Sequence, residues 1–168
     1  RAHVIFADQS GAISPAVYLG WLGASVLLIR NTPLGWRWTF FLFLTVFAAD
    51  GAAYFGGRAF GRHPFAPTVS PKKTWEGAVI GWTYTTFLAI GLARFMQLPM
   101  NAYEAAALGL VIGVVSSIGD LTMSFVKRQA HVKDASQLIP GHGGLLDRVD
   151  SLLPAAAVIA AYIQWFVR

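Results

Sequence analysis

Cysteine is missing altogether from the 168 residues, which removes disulfides, thiolate catalysis and thiolate metal sites from the chemistry open to this chain. Charge is scarce as well, since 12% of residues are Asp, Glu, Lys or Arg while 55% are hydrophobic. Together with a mean hydropathy of +0.54, that shortage excludes a water-soluble globule. The apolar residues lack the strict alternation of barrel strands, so any backbone crossing hydrocarbon must satisfy its polar groups within helices. No signal segment of basic, apolar and small residues precedes the body and the first residue is Arg1, so a fragment or processed product is expected.

What is present is a series of apolar runs of spanning length, near residues 13 to 30, 38 to 57, 77 to 96, 105 to 126 and 152 to 167. A spanning helix needs about 20 apolar residues. The expected fold is therefore all-α, a polytopic integral membrane helical bundle of about five transmembrane helices forming one domain, residues 1–168. Five spans put Arg58, Arg62, Lys72, Lys73, Lys127, Arg128, Lys133 and Arg148 on the same side as Arg1, and leave Arg30, Arg37, Arg94 and Arg168 on the other. The richer side should face the cytoplasm. Trp36, Trp38, Trp75 and Trp165 read as an interfacial belt.

Acidic residues are more telling than basic ones. Of the 8 present, only Asp8 and Glu104 lie away from the two basic loop regions. Asp50 and Asp120 each precede an arginine, Arg58 and Arg128, by eight residues, which is about 12 Å along a helix. Both carboxylates should be buried in the cytoplasmic half of the bundle, where an ionisable group is a functional-site hypothesis by default, against the alternative of a salt-bridged structural partner. Asp147 and Asp150, three apart in LLDRVD, share a helix face. With Asp120 they offer the hard oxygen ligands that Mg²⁺ prefers. Taken alone, the pair is better read as bonding Arg148 or favouring the start of the last helix; the glycine-rich loop before it turns the reading toward a ligand.

Two loops add to this reading. In PGHGG, residues 140–144, Gly141, Gly143 and Gly144 free the backbone to approach a ligand and to present N–H groups to phosphate oxygens. His142 there reads as an acid, a phosphate donor or a surface imidazole. SPKKTWEG, residues 70–77, reads as a helix start with Ser70 as N-cap and Pro71 first in the helix. Lys72 and Lys73 would then occupy a first turn that normally prefers acids, an inversion that suits an anion held at the helix end or an ordinary positive-inside anchor.

The stretch Ser124 to Asp150, SFVKRQAHVKDASQLIPGHGGLLDRVD, resembles the signature of the phosphatidate cytidylyltransferase (CDP-diacylglycerol synthase) family. SPKKTWEG resembles that family's second motif and AADGAAYFGGRAFGR, around Asp50, a third. The resemblance covers roughly residues 45–151, and family members usually carry further hydrophobic segments ahead of it, so the chain is expected to be the C-terminal part of a longer protein. It implies transfer of a cytidylyl group from CTP to phosphatidic acid in phospholipid biosynthesis, giving CDP-diacylglycerol and pyrophosphate. The implied cofactors are Mg²⁺ and a monovalent cation such as K⁺. It also implies a bacterial inner-membrane location with the site facing the cytoplasm, membrane lipid as partner, no nucleic acid, and a homodimer as one assembly.

On that basis Asp120, Asp147 and Asp150 are the expected metal ligands, and Lys72, Lys73, Lys127, Arg128, Lys133 and Arg148 the expected phosphate ligands. Ser70, Ser124, Asp134 and His142 are secondary candidates. Two rival readings stand beside it: a related CTP-using transferase or kinase acting on an ether lipid or polyprenol, and an ion-coupled transporter using Asp50 and Asp120.

Overall fold

A computed structural model describes Gly20, residues 22–129 and residues 150–167. Five helices are seen there: α1 over residues 22–30, α2 Gly35–Phe60, α3 Trp75–Phe95, α4 Ala102–Gln129 and α5 Leu152–Phe166. A two-stranded antiparallel hairpin, β1 Pro64–Ala66 and β2 Ser70–Thr74, lies between α2 and α3. The expected first span over 13 to 30 is described only in its second half. Among the described residues α2, α3 and α4 are long and apolar enough to cross a membrane. At 15 residues, α5 is shorter, about 22 Å at 1.5 Å per residue. The chain is an all-α membrane protein.

Local sequence sets the helix boundaries. Asn101 and Glu104 cap α4 reciprocally, the Asn101 side chain accepting from the Glu104 N–H at 2.9 Å and the Glu104 carboxylate from the Asn101 N–H at 2.8 Å, as in a capping box. At α3 the structure corrects the expected start. Ser70 and Pro71 do not open a helix; they begin β2, and the N-cap is Thr74, whose hydroxyl accepts from the Gly77 N–H at 3.2 Å. The reason is the dipole rule itself. Starting at Trp75 puts Glu76 rather than two lysines in the first turn, where negative charge is favoured. Glu76 in turn accepts from the N–H groups of Arg62 and His63 and bonds the His63 ring at 2.6 Å, tying the hairpin to α3.

Successive long helices run antiparallel, with α2 packed on α3, α3 on α4 and α4 on α5, while α2 also reaches α4 and α5. Small residues, Ala49 and Ala53 facing Gly77 and Gly81, let the α2 and α3 backbones approach closely. The core occupies one half of the bundle. It draws on the first half of α2 (Trp38, Phe41, Leu42, Val46), the end of α3 (Ala89, Ala93), the start of α4 (Ala105, Leu108, Ile112) and the body of α5 (Ala156, Ile159, Ile163). Trp38 therefore belongs to the core at 1% exposure and not to an interfacial belt, because its α2 face turns inward to meet Tyr162 of α5. Trp36, Trp75 and Trp165 are exposed. Buried Thr45 and Thr85 return their hydroxyls to their own helices. The outer faces carry Phe40, Leu44, Phe55, Phe87 and Val111, apolar surface of the kind that lipid covers.

Candidate active site

The other half of the bundle opens into a cavity of about 860 Å³. Five elements wall it, α3 through Ala78. From α2 come Phe47, Asp50, Ala53, Tyr54, Gly57 and Arg58, spaced three and four apart so that one stripe of the helix faces inward. From α4 come Ser117, Asp120 and Lys127, three and seven apart and so on one face of that helix as well. The hairpin contributes Phe65, Lys72, Lys73 and Thr74, and the turn before α5 contributes Asp150 and Ser151. The cavity end thus holds the end of α2, the start of α3, the end of α4 and the start of α5.

Three carboxylates face this space from three elements. Asp120 pairs with the ammonium of Lys73 and accepts from the Ser124 hydroxyl at 3.3 Å. Asp50 accepts from the Ser151 hydroxyl at 3.0 Å. Asp150 accepts from the Ser151 N–H at 2.7 Å and is 8% exposed. Burial first, then the negative charge of Asp120, push the Asp150 carboxyl up to about 6; the Ser151 N–H and Lys127 work against that shift. Asp50 and Asp120 are not enclosed as expected. They look into an open cavity, Asp50 as an exposed residue and Asp120 with its side chain 32% exposed, because the stripe on which each lies fronts the space instead of a neighbouring helix.

Residue 150 reaches α4 through a close approach. A Cβ on Gly119 would lie 2.6 Å from the Asp150 carbonyl oxygen and 2.7 Å from the Pro154 ring, so only glycine allows the start of α5 to lean on α4 beside Asp120.

Of the residues expected from sequence, Asp120, Asp150, Lys72, Lys73 and Lys127 line the cavity and Ser124 supports Asp120. Lys72 and Lys73 do so from a strand, not from a helix N-terminus. Ser70 opens β2 away from the cavity lining, and Arg128 is exposed at the end of α4, rotated by about 100° from Lys127. Lys133, Asp134, Gly141, His142, Gly143, Gly144, Asp147 and Arg148 lie outside the described residues. Among the described residues no three His, Asp or Glu side chains gather closely enough to hold a metal; Asp120 and Asp150 offer two of the hard oxygen donors a divalent ion takes. Sequence reasoning missed Ser151 and Gly119, which carry no charge signal, and left Arg58 as a loop-side anchor.

A model described as the cytidylyltransferase family matches residues 1–166 of the chain. A phosphatidate cytidylyltransferase of Brucella suis is 43% identical over 155 residues, covering 90% of this chain and 57% of that protein. One from Haemophilus influenzae is 45% identical over 131 residues, covering 76% of this chain and 45% of the relative. One from Mycobacterium tuberculosis is 39% identical over 170 residues, covering 91% and 50%. The chain spans about half the length of the curated relatives it matches.

Proposed function

Because the chain belongs to the cytidylyltransferase family, we propose that its cavity transfers a cytidylyl group from CTP to phosphatidic acid at the cytoplasmic face of a bacterial inner membrane. One observation carries this reading: Asp120, Asp150 and Lys73, from three separate elements, face a single cavity at the helix ends. A phosphate oxygen of phosphatidic acid attacks the α-phosphorus of CTP, the bond from that phosphorus to the β-phosphate oxygen breaks, and pyrophosphate leaves. The product is CDP-diacylglycerol. The attacking phosphate monoester is already largely ionised at neutral pH, its second pKa being about 6, so no separate base is needed.

The barrier lies in bringing two polyanions together and in stabilising the charge that spreads over the phosphoryl oxygens. Lys72 and Lys127 supply fixed positive charge at the cavity wall. Lys73 is held against Asp120, which sets the position of its ammonium and shields the carboxylate while no cation is near. Asp120 and Asp150, with Asp147 as third candidate, would hold Mg²⁺, which when bound draws charge from the phosphate oxygens. Burial first and the neighbouring charge of Asp120 second raise the Asp150 carboxyl, and a divalent ion held there would favour its charged form. The apolar outer faces of α2 and α4 keep the cavity beside lipid, where the acyl chains of phosphatidic acid remain.

Pyrophosphate release from each of the four nucleoside triphosphates, measured with the purified protein in micelles containing phosphatidic acid and Mg²⁺, tests the reading. Release from CTP alone is expected. Equal release from all four, or release from CTP with a polyprenol acceptor and not with phosphatidic acid, would replace it.

A further inference from the structure

The sequence pairs an acid with an arginine eight residues later twice, Asp50 with Arg58 and Asp120 with Arg128, yet the two pairs do different things in the fold. On α4 it is Lys127 that lines the cavity while Arg128 turns away; on α2 the cavity stripe runs on to Arg58. Arg62, one turn further along the chain, faces a different hollow with His63 and Glu76. Of the three described arginines at this end, Arg58, Arg62 and Arg128, it is Arg58 that lines the cavity.

Its charge also meets no carboxylate among the described residues. Among the described residues Lys73 is taken by Asp120 and Lys127 bears on Asp150, but Arg58 enters no ion pair and is exposed to the cavity. The neighbouring Gly57 explains how it comes to stand beside the lysines: a Cβ there would lie 2.9 Å from the Thr74 hydroxyl, so the bare backbone lets the end of β2, with Lys72 and Lys73, close against the end of α2. A basic residue in the last helical turn complements the helix dipole wherever it points. That effect does not account for a guanidinium turned into a cavity, beside two lysines, with no described acid to receive it.

We infer that Arg58 is a substrate-binding residue, taking a phosphate group in the cavity through its planar fork of donors. The inference rests on the cytidylyl-transfer reading and deepens it by adding α2 as an anion-holding wall. A guanidinium presents two parallel N–H donors to phosphate, which an ammonium cannot do. Arg58 stands about 12 Å along α2 from Asp50, so an anionic group held at Arg58 lies well away from that carboxylate. The phosphate belongs either to the nucleotide or to the lipid.

Kinetics of the purified protein and its Arg58→Gln, Arg58→Lys and Arg62→Gln variants in mixed micelles separate the two sources. Arg58→Gln should raise KM about tenfold or more, the loss expected of a charge-assisted bond, with a smaller change in kcat. A rise in KM for CTP assigns the guanidinium to the nucleotide phosphates, and a rise in KM for phosphatidic acid assigns it to the lipid phosphate. Arg58→Lys should recover part of the loss, and Arg62→Gln, which removes an equal charge outside the cavity, should leave both constants unchanged. Unchanged KM for both substrates in Arg58→Gln, or an equal effect of Arg62→Gln, overturns the inference while leaving the transfer reading intact. Should the unsubstituted protein release no pyrophosphate from CTP, the transfer reading fails on its own, and titration of inorganic pyrophosphate by calorimetry decides the matter. Weaker binding in Arg58→Gln than in the unsubstituted protein upholds Arg58 as a phosphate ligand, and equal binding refutes it. The side chain is exposed, so equal thermal midpoints should accompany every variant; were the Gln variant to misfold, the Lys variant carries the same test.

Discussion

Lys73 of β2 and Asp120 of α4, 47 positions apart in the chain, meet as an ion pair at the wall of the cavity. Each member is only about a third exposed, so removing one partner leaves the other's charge partly desolvated. Asp120→Asn and Lys73→Gln should each lower kcat/KM for cytidylyl transfer by about 100-fold or more, as losses of transition-state charge stabilisation do. The double variant should be little worse than the weaker single one, because groups acting as a unit are not additive. Steady-state rates of pyrophosphate release check this, and full additivity would show that the two act separately.

Asp150 provides the pH dependence. Its carboxyl is raised from an ordinary 3.8 to about 6, so the folded state binds that proton more tightly than the unfolded chain does. The resulting penalty is absent below pH 3.8, grows as pH rises toward 6 and is complete above it. Asp150→Asn keeps an oxygen for the Ser151 N–H and removes the charge. In chelator at pH 8 it should therefore stabilise the protein, by on the order of 1 kcal/mol after screening at the cavity mouth, or about 2–4 °C. At pH 4 the two thermal midpoints should converge. A variant less stable than the parent at pH 8 would contradict the sign.

Divalent metal should reverse that ranking. An ion that binds only the folded state stabilises it by about 2.7 kcal/mol at a hundred times its Kd. Adding Mg²⁺ at pH 8 should raise the thermal midpoint of the parent protein, and Asp120→Asn and Asp150→Asn should each lose most of that rise. At pH 5, where Asp150 is largely protonated, the parent should lose part of it too. An identical Mg²⁺ response in both variants would place the ion elsewhere.

Gly119→Ala introduces a methyl group 2.6 Å from the Asp150 carbonyl oxygen. Overpacking of this kind costs about 1–3 kcal/mol, and relief requires the start of α5 to move off α4. Helix content by circular dichroism should be unchanged, while the Mg²⁺-dependent rise in thermal midpoint and the transfer rate both fall. Normal metal response and rate in this variant would mean that the close approach of residue 150 to α4 is not needed to assemble the site.

Thr74→Val removes the hydroxyl that caps α3 and should cost about 1 kcal/mol. Because Lys73 is its neighbour, the KM for a phosphorylated substrate should also rise. A stability loss with unchanged KM would show that the hairpin holds Lys72 and Lys73 without the cap.

Much of the candidate site's lining was legible from composition and spacing. Acids in a chain this poor in charge stand out, and Asp120, Asp150, Lys72, Lys73 and Lys127 do line one cavity. The helix start at residues 70–71 misled because Ser and Pro are common at helix N-termini, while the competing preference for acid in the first turn was stronger and chose Thr74. Trp38 misled because a tryptophan near the end of an apolar run is ambiguous until the helix's rotation is known. Ser151, Gly119 and the inward turn of Arg58 left no mark in the sequence, since a serine, a glycine and an arginine at such positions have ordinary local explanations.

Run length, charge scarcity and the periodic placement of acids determined that this chain is a helical membrane protein with ionisable groups concentrated at one end. These are local properties, fixed by transfer free energies that add along a single helix. Which of those groups meet was decided by the tertiary structure alone. Facing depends on the rotational phase of each helix, and that phase is set by where small residues such as Gly57, Gly77 and Gly119 let backbones touch. Asp120 therefore found Lys73 rather than Arg128, and Arg58 came to face the cavity while Arg62 did not.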